Sequence, residues 1–120
     1  MTYARNQALG AFGERVAAAH LRSLGMVVLA CNWRCRFGEI DLVARDGSTL
    51  VICEVKTRTS SSHGTPAEAV VGRKAVRLRR LAAHWLEVHD VEPLAVRIDV
   101  VSVVVPSRGA PHVDRVAGVA

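Results

Sequence analysis

Glu39, Asp41, Glu54 and Lys56 fall among residues that want to be buried in the stretch GEIDLVARDGSTLVICEVKTR, from Gly38 to Arg58. A charge taken out of water is costly unless it is paired or ligated. Acids held on one surface of a buried hairpin can share a divalent cation, and that chemistry gives these residues a common purpose.

Side chains alternate faces along a strand. Glu39, Asp41 and Val43 are therefore expected on one face of a first strand, and Leu50, Ile52, Glu54 and Lys56 on one face of a second. Asp46-Gly47 predicts a two-residue type I′ turn, which pairs Arg45 with Ser48 and sets Asp41 opposite Ile52. Asp41 and Glu54 are then diagonal neighbours roughly 7–8 Å apart. That is close enough to share one ion, since magnesium holds oxygen at about 2.0–2.1 Å. A four-residue turn would set Asp41 directly opposite Glu54 with the same parity, and only an odd loop or a bulge would part the two faces. The competing reading is a solvated strand end, with Glu54 and Lys56 a same-face pair of little worth. Glu14 and Lys74, each charged yet on an apolar helical stripe, weigh toward a metal site.

Those two residues belong to predicted helices. The first spans about Asn6 to Gly25, with Asn6 as N-cap and Gly25 just past the end. At 100° per residue Glu14 joins Ala17, Ala18 and Leu21 on its apolar stripe, while Arg15 and Arg22 share a polar edge. A strand from about Met26 to Cys31 follows, then the loop or strand end NWRCRFG and the hairpin. TRTSSSHGT reads as a mobile loop, and no role is assigned to its His63. Thr65-Pro66-Ala67-Glu68 fits a capping box with proline at the first helical position. It opens a helix that is interrupted near Gly72 and runs to about His89. Leu78, Leu81, Ala82, Trp85 and Val88 form its apolar stripe, with Arg73, Arg77, Arg80 and His84 on another face. A last strand runs from Ala95 to Val105. The predicted order is α-β-β-β-α-β, an α/β core with a mixed sheet and flanking helices. Residues 1–106 form the domain, and residues 107–120, rich in Gly, Pro and Ala, read as a disordered C-terminal tail.

The 120 residues suffice for one domain with a single core. Sixteen Lys and Arg against eleven Asp and Glu give a net charge of +5, which suits a polyanionic partner. Cys31, Cys35 and Cys53 lack the two-pair spacing of a zinc site and read as reduced structural thiols. No apolar run approaches the roughly 18 residues of a membrane span, and the N-terminus lacks a signal-peptide core. A cytoplasmic protein without membrane association is expected. Trp33 and Trp85 read as packing residues, with no aromatic platform for single strands.

GAFGERVAAAHLRSLG, GEIDLVARDG, ICEVKTR, Lys74 and RIDVVSV together resemble the small bacterial YraN-like family. That family is similar in turn to PD-(D/E)xK endonucleases and archaeal Holliday junction resolvases. The likeness covers about Asn6 to Val105. It implies a restriction-endonuclease-like core and metal-dependent hydrolysis of phosphodiester bonds in DNA, including branched DNA. Where the superfamily often has a proline before the aspartate, this chain has Ile40. By the resemblance Asp41, Glu54 and Glu14 would bind Mg2+ or Mn2+, helped by the carbonyl of Val55. Lys56 would hold the attacking water or the charge developing on phosphorus. Glu39 either takes part directly or lines the cleft. Lys74 is either a DNA contact at a helix start or a core lysine that snorkels to water. Arg58, Arg73, Arg77 and Arg80 either follow a phosphate backbone or form a solvated face. Asp99 reads as a partner for Arg97 or a helix rather than a metal ligand.

Two other functions fit the same residues. One is a catalytically idle nucleic-acid-binding module that acts with a partner. The other is an interaction protein whose basic helix meets an acidic surface, its acids serving structure alone. The long apolar strand Ala95–Val105 suits a core or, in a homodimer, an interface.

Overall fold

A computed structural model of the chain describes residues 3–59 and 72–119. The expected TRTSSSHGT loop, His63 and the Thr65–Glu68 capping box fall wholly or largely outside them. The first helix, α1 (Tyr3–Ser23), begins ahead of the expected Asn6 cap. It ends as composition predicts: Gly25 takes φ +89°, its N–H reaches the Arg22 carbonyl at 3.0 Å, and the Met26 N–H reaches the Leu21 carbonyl at 3.1 Å. This pair of bonds satisfies the last carbonyls of the helix and turns the chain into the sheet.

Five strands follow: β1 (Val27–Cys35), β2 (Gly38–Asp46), β3 (Thr49–Arg58), β4 (Ala95–Val104) and β5 (His112–Val116), with α2 (Arg73–His89) between β3 and β4. They lie side by side in the order β1-β2-β3-β4-β5. Only β3 and β4 run parallel, and the other neighbours are antiparallel. The order α-β-β-β-α-β-β makes a mixed sheet with helices on both faces, an α/β architecture compatible with a nuclease-like core. Leu78, Leu81, Ala82 and Trp85 of α2 pack on Ile40, Val43, Leu50, Ile52, Ile98 and Val100. Ala17, Ala18 and Leu21 of α1 pack on Leu42, Ala44, Val51, Cys53, Val101 and Val103 across the sheet. Val88, expected on the α2 stripe, is instead 58% exposed.

The expected tail at residues 107–120 is instead structured: it carries β5. Asp99 on β4 is fully buried and needs cations, and β5 supplies one. Arg97 binds the carboxylate through Nε at 2.8 Å and Nη2 at 3.0 Å, Arg115 of β5 binds it at 2.8 Å, and the Gly118 N–H at 3.1 Å. The expected pairing of Asp99 with Arg97 is therefore present, and the carboxylate also anchors the end of the chain.

Two expectations about the hairpin change. The turn is centred on Gly47-Ser48 rather than Asp46-Gly47, since Asp46 pairs with Thr49. Gly47 takes φ +59° while Ser48 does not go positive, the pattern of a type II′ rather than a type I′ turn. Arg97 holds Asp46 in the strand at 3.2 Å. The register shifts by two residues, so Val43 faces Ile52 and Leu42 faces Cys53. Val43, Leu50 and Ile52 keep their common face, but the ladder stops at Leu42↔Cys53, one residue short of Asp41 and Glu54.

Candidate active site

Strict alternation along β2 fails at the one residue where chemistry was expected. Ile40 and Val43 pack in the α2 layer, whereas Leu42 packs in the α1 layer, so the backbone is irregular at Asp41. Opposite it on β1, Asn32 takes φ +52°, and the ladder skips from Cys31↔Leu42 to Trp33↔Ile40. On the other side, β2 and β3 pair only as far as Leu42↔Cys53. Beyond that point the two strands diverge. Asp41 stands in the fork, and its Oδ2 accepts the Val55 N–H at 2.8 Å. A strand residue's N–H and C=O point to the same side, so the Val55 carbonyl opens onto the same fork.

The remaining acids approach from three directions. Glu54 and Lys56 follow Ile52 on the α2 face of β3, where Lys74 of α2 meets Glu54 Oε1 at 2.7 Å. Lys74 is thus a partner of the site's own carboxylate in the free protein. Glu14 projects from α1 and takes a hydrogen bond from Asn32, while its Oε2 is buried with no partner. Glu39 pairs with Arg34 at 3.0 Å at the rim. A cavity of about 450 Å³ between α1 and β1, walled by Glu14, Arg15, Arg22 and Asn32, leads to the Glu14 side.

These groups perturb one another strongly. Burial, together with Glu54, Glu14 and Glu39, pushes the Asp41 carboxyl up to about 7 against the pull of the Val55 N–H. Burial and then Glu39 also raise Glu14. Lys56 goes the other way: burial and the neighbouring Lys74 make its proton easier to lose. Facing acids that resist ionisation beside a lysine that resists protonation are a pattern that functional sites favour.

Among the described residues no three His, Cys, Asp or Glu side chains are grouped closely enough to hold a metal ion as they stand. Glu54 is turned to Lys74 rather than to Asp41. The donor set is nonetheless chemically apt for a hard cation: carboxylates of Asp41, Glu54 and Glu14 and one carbonyl, with the partnerless Glu14 oxygen lacking the counter-charge a cation would bring.

Arg73, Arg77 and Arg80 are exposed along α2, Arg58 is half-buried at the end of β3, and none makes an ion pair among the described residues. Cys53 is fully buried, and burial drives its thiol far up, so it is an inert packing residue. Sequence reasoning missed Gly13 and Asn32. A Cβ on Gly13 would overlap the Thr57 side chain, so this glycine lets α1 lie close enough to β3 for Glu14 to reach inward. A glycine inside a helix, where it costs about 1 kcal/mol relative to alanine, was the available signal.

Among the described residues no helix is long and apolar enough to cross a membrane. The pattern of the Uncharacterised protein family UPF0102 matches residues 13–103. Similar curated proteins carry the same name. One from a Nocardioides species is 57% identical, covering 94% of this chain and 91% of that one. Another from Kineococcus radiotolerans is 59% identical, covering 93% of each. A third from Beutenbergia cavernae is 55% identical over 93% of this chain and 95% of its own.

Proposed function

The chain belongs to the UPF0102 family, and we propose that it is a metal-dependent nuclease hydrolysing phosphodiester bonds in DNA. The observation that carries this reading is the fork itself, where Asp41 hangs on the Val55 N–H beside Glu54 and Lys56. Asp41, Glu54, Glu14 and the Val55 carbonyl would hold Mg2+ or Mn2+. Once bound, the cation lowers the pKa of water and offsets negative charge gathering on the phosphate. Lys56 stands two residues beyond Glu54 on the same face of β3. Burial and the neighbouring Lys74 lower its pKa, and its amine is placed to orient the attacking water or to meet charge developing on the phosphate. Lys74 shields Glu54 in the free protein; with Glu54 engaged by a cation, its ammonium would be available to a phosphate oxygen. Arg73, Arg77 and Arg80 form a cationic track along α2 that suits a nucleic-acid backbone.

A second reading is favoured by the 2.7 Å Lys74–Glu54 pair, which already satisfies one of the carboxylates. On that reading the site is idle and the protein binds nucleic acid on behalf of a partner. A cleavage panel separates the two. Duplex, single-stranded, flapped and four-way-junction DNA are incubated with Mg2+ or Mn2+ and wild type or Lys56→Ala. Metal-dependent cutting lost in Lys56→Ala supports the nuclease, and the substrate cut fastest tests the preference for branched DNA. Junction binding without cutting by either protein supports the idle module.

A further inference from the structure

Only 4% of the chain is aromatic, yet the fold gathers rings from three separate places at one end of α2. β1 and β2 are joined by the two-residue turn Arg36-Phe37, closed by Cys35↔Gly38. Phe37, at the tip of this turn, is 37% exposed. It meets His84 of α2 edge to face, with ring centres 5.1 Å apart. His84 in turn lies 5.8 Å from the half-buried Trp33. The guanidinium of Arg36 rests 4.8 Å above the Phe37 ring. Trp85 and His89 stack beneath at 4.0 Å, and Trp85 is buried, so these two supply the packing. Phe37 contributes less: it keeps 37% of its surface exposed at the tip of a tight two-residue turn, a place that favours Asn, Asp and Gly.

We infer that Phe37, His84 and Trp33 form a stacking subsite for an unpaired base of a single nucleic-acid strand that leads into the Asp41 fork. The inference rests on the nuclease reading for the identity of the strand. Aromatic rings hold unstacked bases without regard to sequence, and arginines beside them take the flanking phosphates. Arg36 occupies the ring face in the free protein. An arriving base takes its place, releasing the guanidinium to a neighbouring phosphate. Arg77, whose side chain lies beside Gly38, continues the path along α2 to Lys74. From His84 to Lys74 the helix rises about 15 Å, the length of about four stacked nucleotides of one strand. Periodicity alone does not reveal this surface, because Trp33, Phe37 and His84 come from a strand, a turn and a helix.

The test is equilibrium binding of a short fluorescent oligothymidylate to the full chain in EDTA, which prevents cutting, beside a blunt duplex. Phe37→Ala is expected to weaken oligothymidylate binding about tenfold, as loss of one stacked base does, and to leave duplex affinity unchanged. Phe37→Trp should restore binding, while Phe37→Leu, apolar but without a π face, should not. Melting curves of the three variants check folding. His84→Ala supplies an independent removal from the helix side and should also weaken oligothymidylate binding selectively. Wild-type affinity in Phe37→Leu, or equal losses on both DNAs, would overturn the subsite. A protein inert in the cleavage panel that still shows the selective loss would leave the subsite standing and remove the nuclease reading. A cutting protein whose variants all bind oligothymidylate alike would do the reverse.

Discussion

The Asp41 carboxylate accepts the Val55 N–H at 2.8 Å where β2 and β3 have stopped pairing with each other. A side chain thus replaces a strand in satisfying the edge of β3, and the acid is held at a fixed place in the sheet. The cost is electrostatic, because burial and three neighbouring carboxylates raise its pKa from 3.8 to about 7.

This sets the pH dependence of stability without metal. Between pH 4 and 7 the folded protein keeps a proton on Asp41 that the unfolded chain has released, so stability falls as pH rises through that window and the loss is complete above it. The difference corresponds to as much as about 4 kcal/mol. In EDTA, Asp41→Asn should therefore melt higher than wild type at pH 8 and close to it at pH 4. Added Mg2+ should raise the melting temperature of wild type more at pH 8 than at pH 5.5 and leave Asp41→Asn unmoved. Calorimetry across pH, with and without Mg2+, reads all of these outcomes, and a flat pH profile in EDTA would contradict the Asp41 assignment.

On the proposed reading, Lys74 would compete with a cation for Glu54. The pair is largely shielded, with Lys74 25% and Glu54 13% exposed in their side chains, so Lys74→Ala leaves a carboxylate facing other acids. The metal-free protein should lose about 1–3 kcal/mol, read by urea unfolding. Calorimetric titration with Mn2+ should show tighter binding than wild type, because the internal rival is gone. Weaker Mn2+ binding would mean that Lys74 supports the site rather than guarding it.

The layers, the two helices and the common face of Val43, Leu50 and Ile52 were legible in the sequence because each depends on local periodicity. The break at Asp41, which turns Ile40 to the Val43 side and so parts Glu39 from it, was not. Glu14 stood out for the same reason, as a charge on the Ala17, Ala18 and Leu21 stripe. What escaped depends on distant partners. The register shift follows from Arg97 drawing Asp46 into the strand, a contact between residues 51 apart. β5 escaped because His112–Val116 has no strong apolar run. Its place is fixed by Asp99, whose need for a second cation shows only once β4 is known to be covered on both faces.

That need makes Asp99 the principal anchor of β5. Its carboxylate is fully buried and carries bonds from two arginines and a backbone N–H. Asp99→Ala takes the carboxylate from Arg115 and leaves Arg97 with Asp46 alone, and should cost about 3–5 kcal/mol. Arg115→Ala leaves the Arg97 pair in place and should cost less. Both should speed tryptic cutting at Arg108, Asp99→Ala more so. Urea unfolding and timed digestion measure the two effects, and a larger loss from Arg115→Ala would reverse the assigned hierarchy.

Gly13 links the packing of α1 to the site. Any Cβ there overlaps Thr57, whose β-branched side chain has little freedom to turn away, so Gly13→Ala must push α1 off the sheet. Overpacking of this kind costs about 1–3 kcal/mol. The displacement acts on the very next residue, Glu14, so Mn2+ affinity should fall together with stability. Thr57→Ala removes the two nearest obstructing atoms but keeps the Thr57 Cβ, 2.7 Å from the added methyl. The double variant Gly13→Ala/Thr57→Ala should therefore regain part of both stability and Mn2+ binding, although it restores no group that touches the ion. Urea unfolding and Mn2+ titration of the wild type, the two single variants and the double variant complete the cycle. Recovery of stability without recovery of Mn2+ binding would separate α1 packing from the site and remove Glu14 from the proposed ligand set.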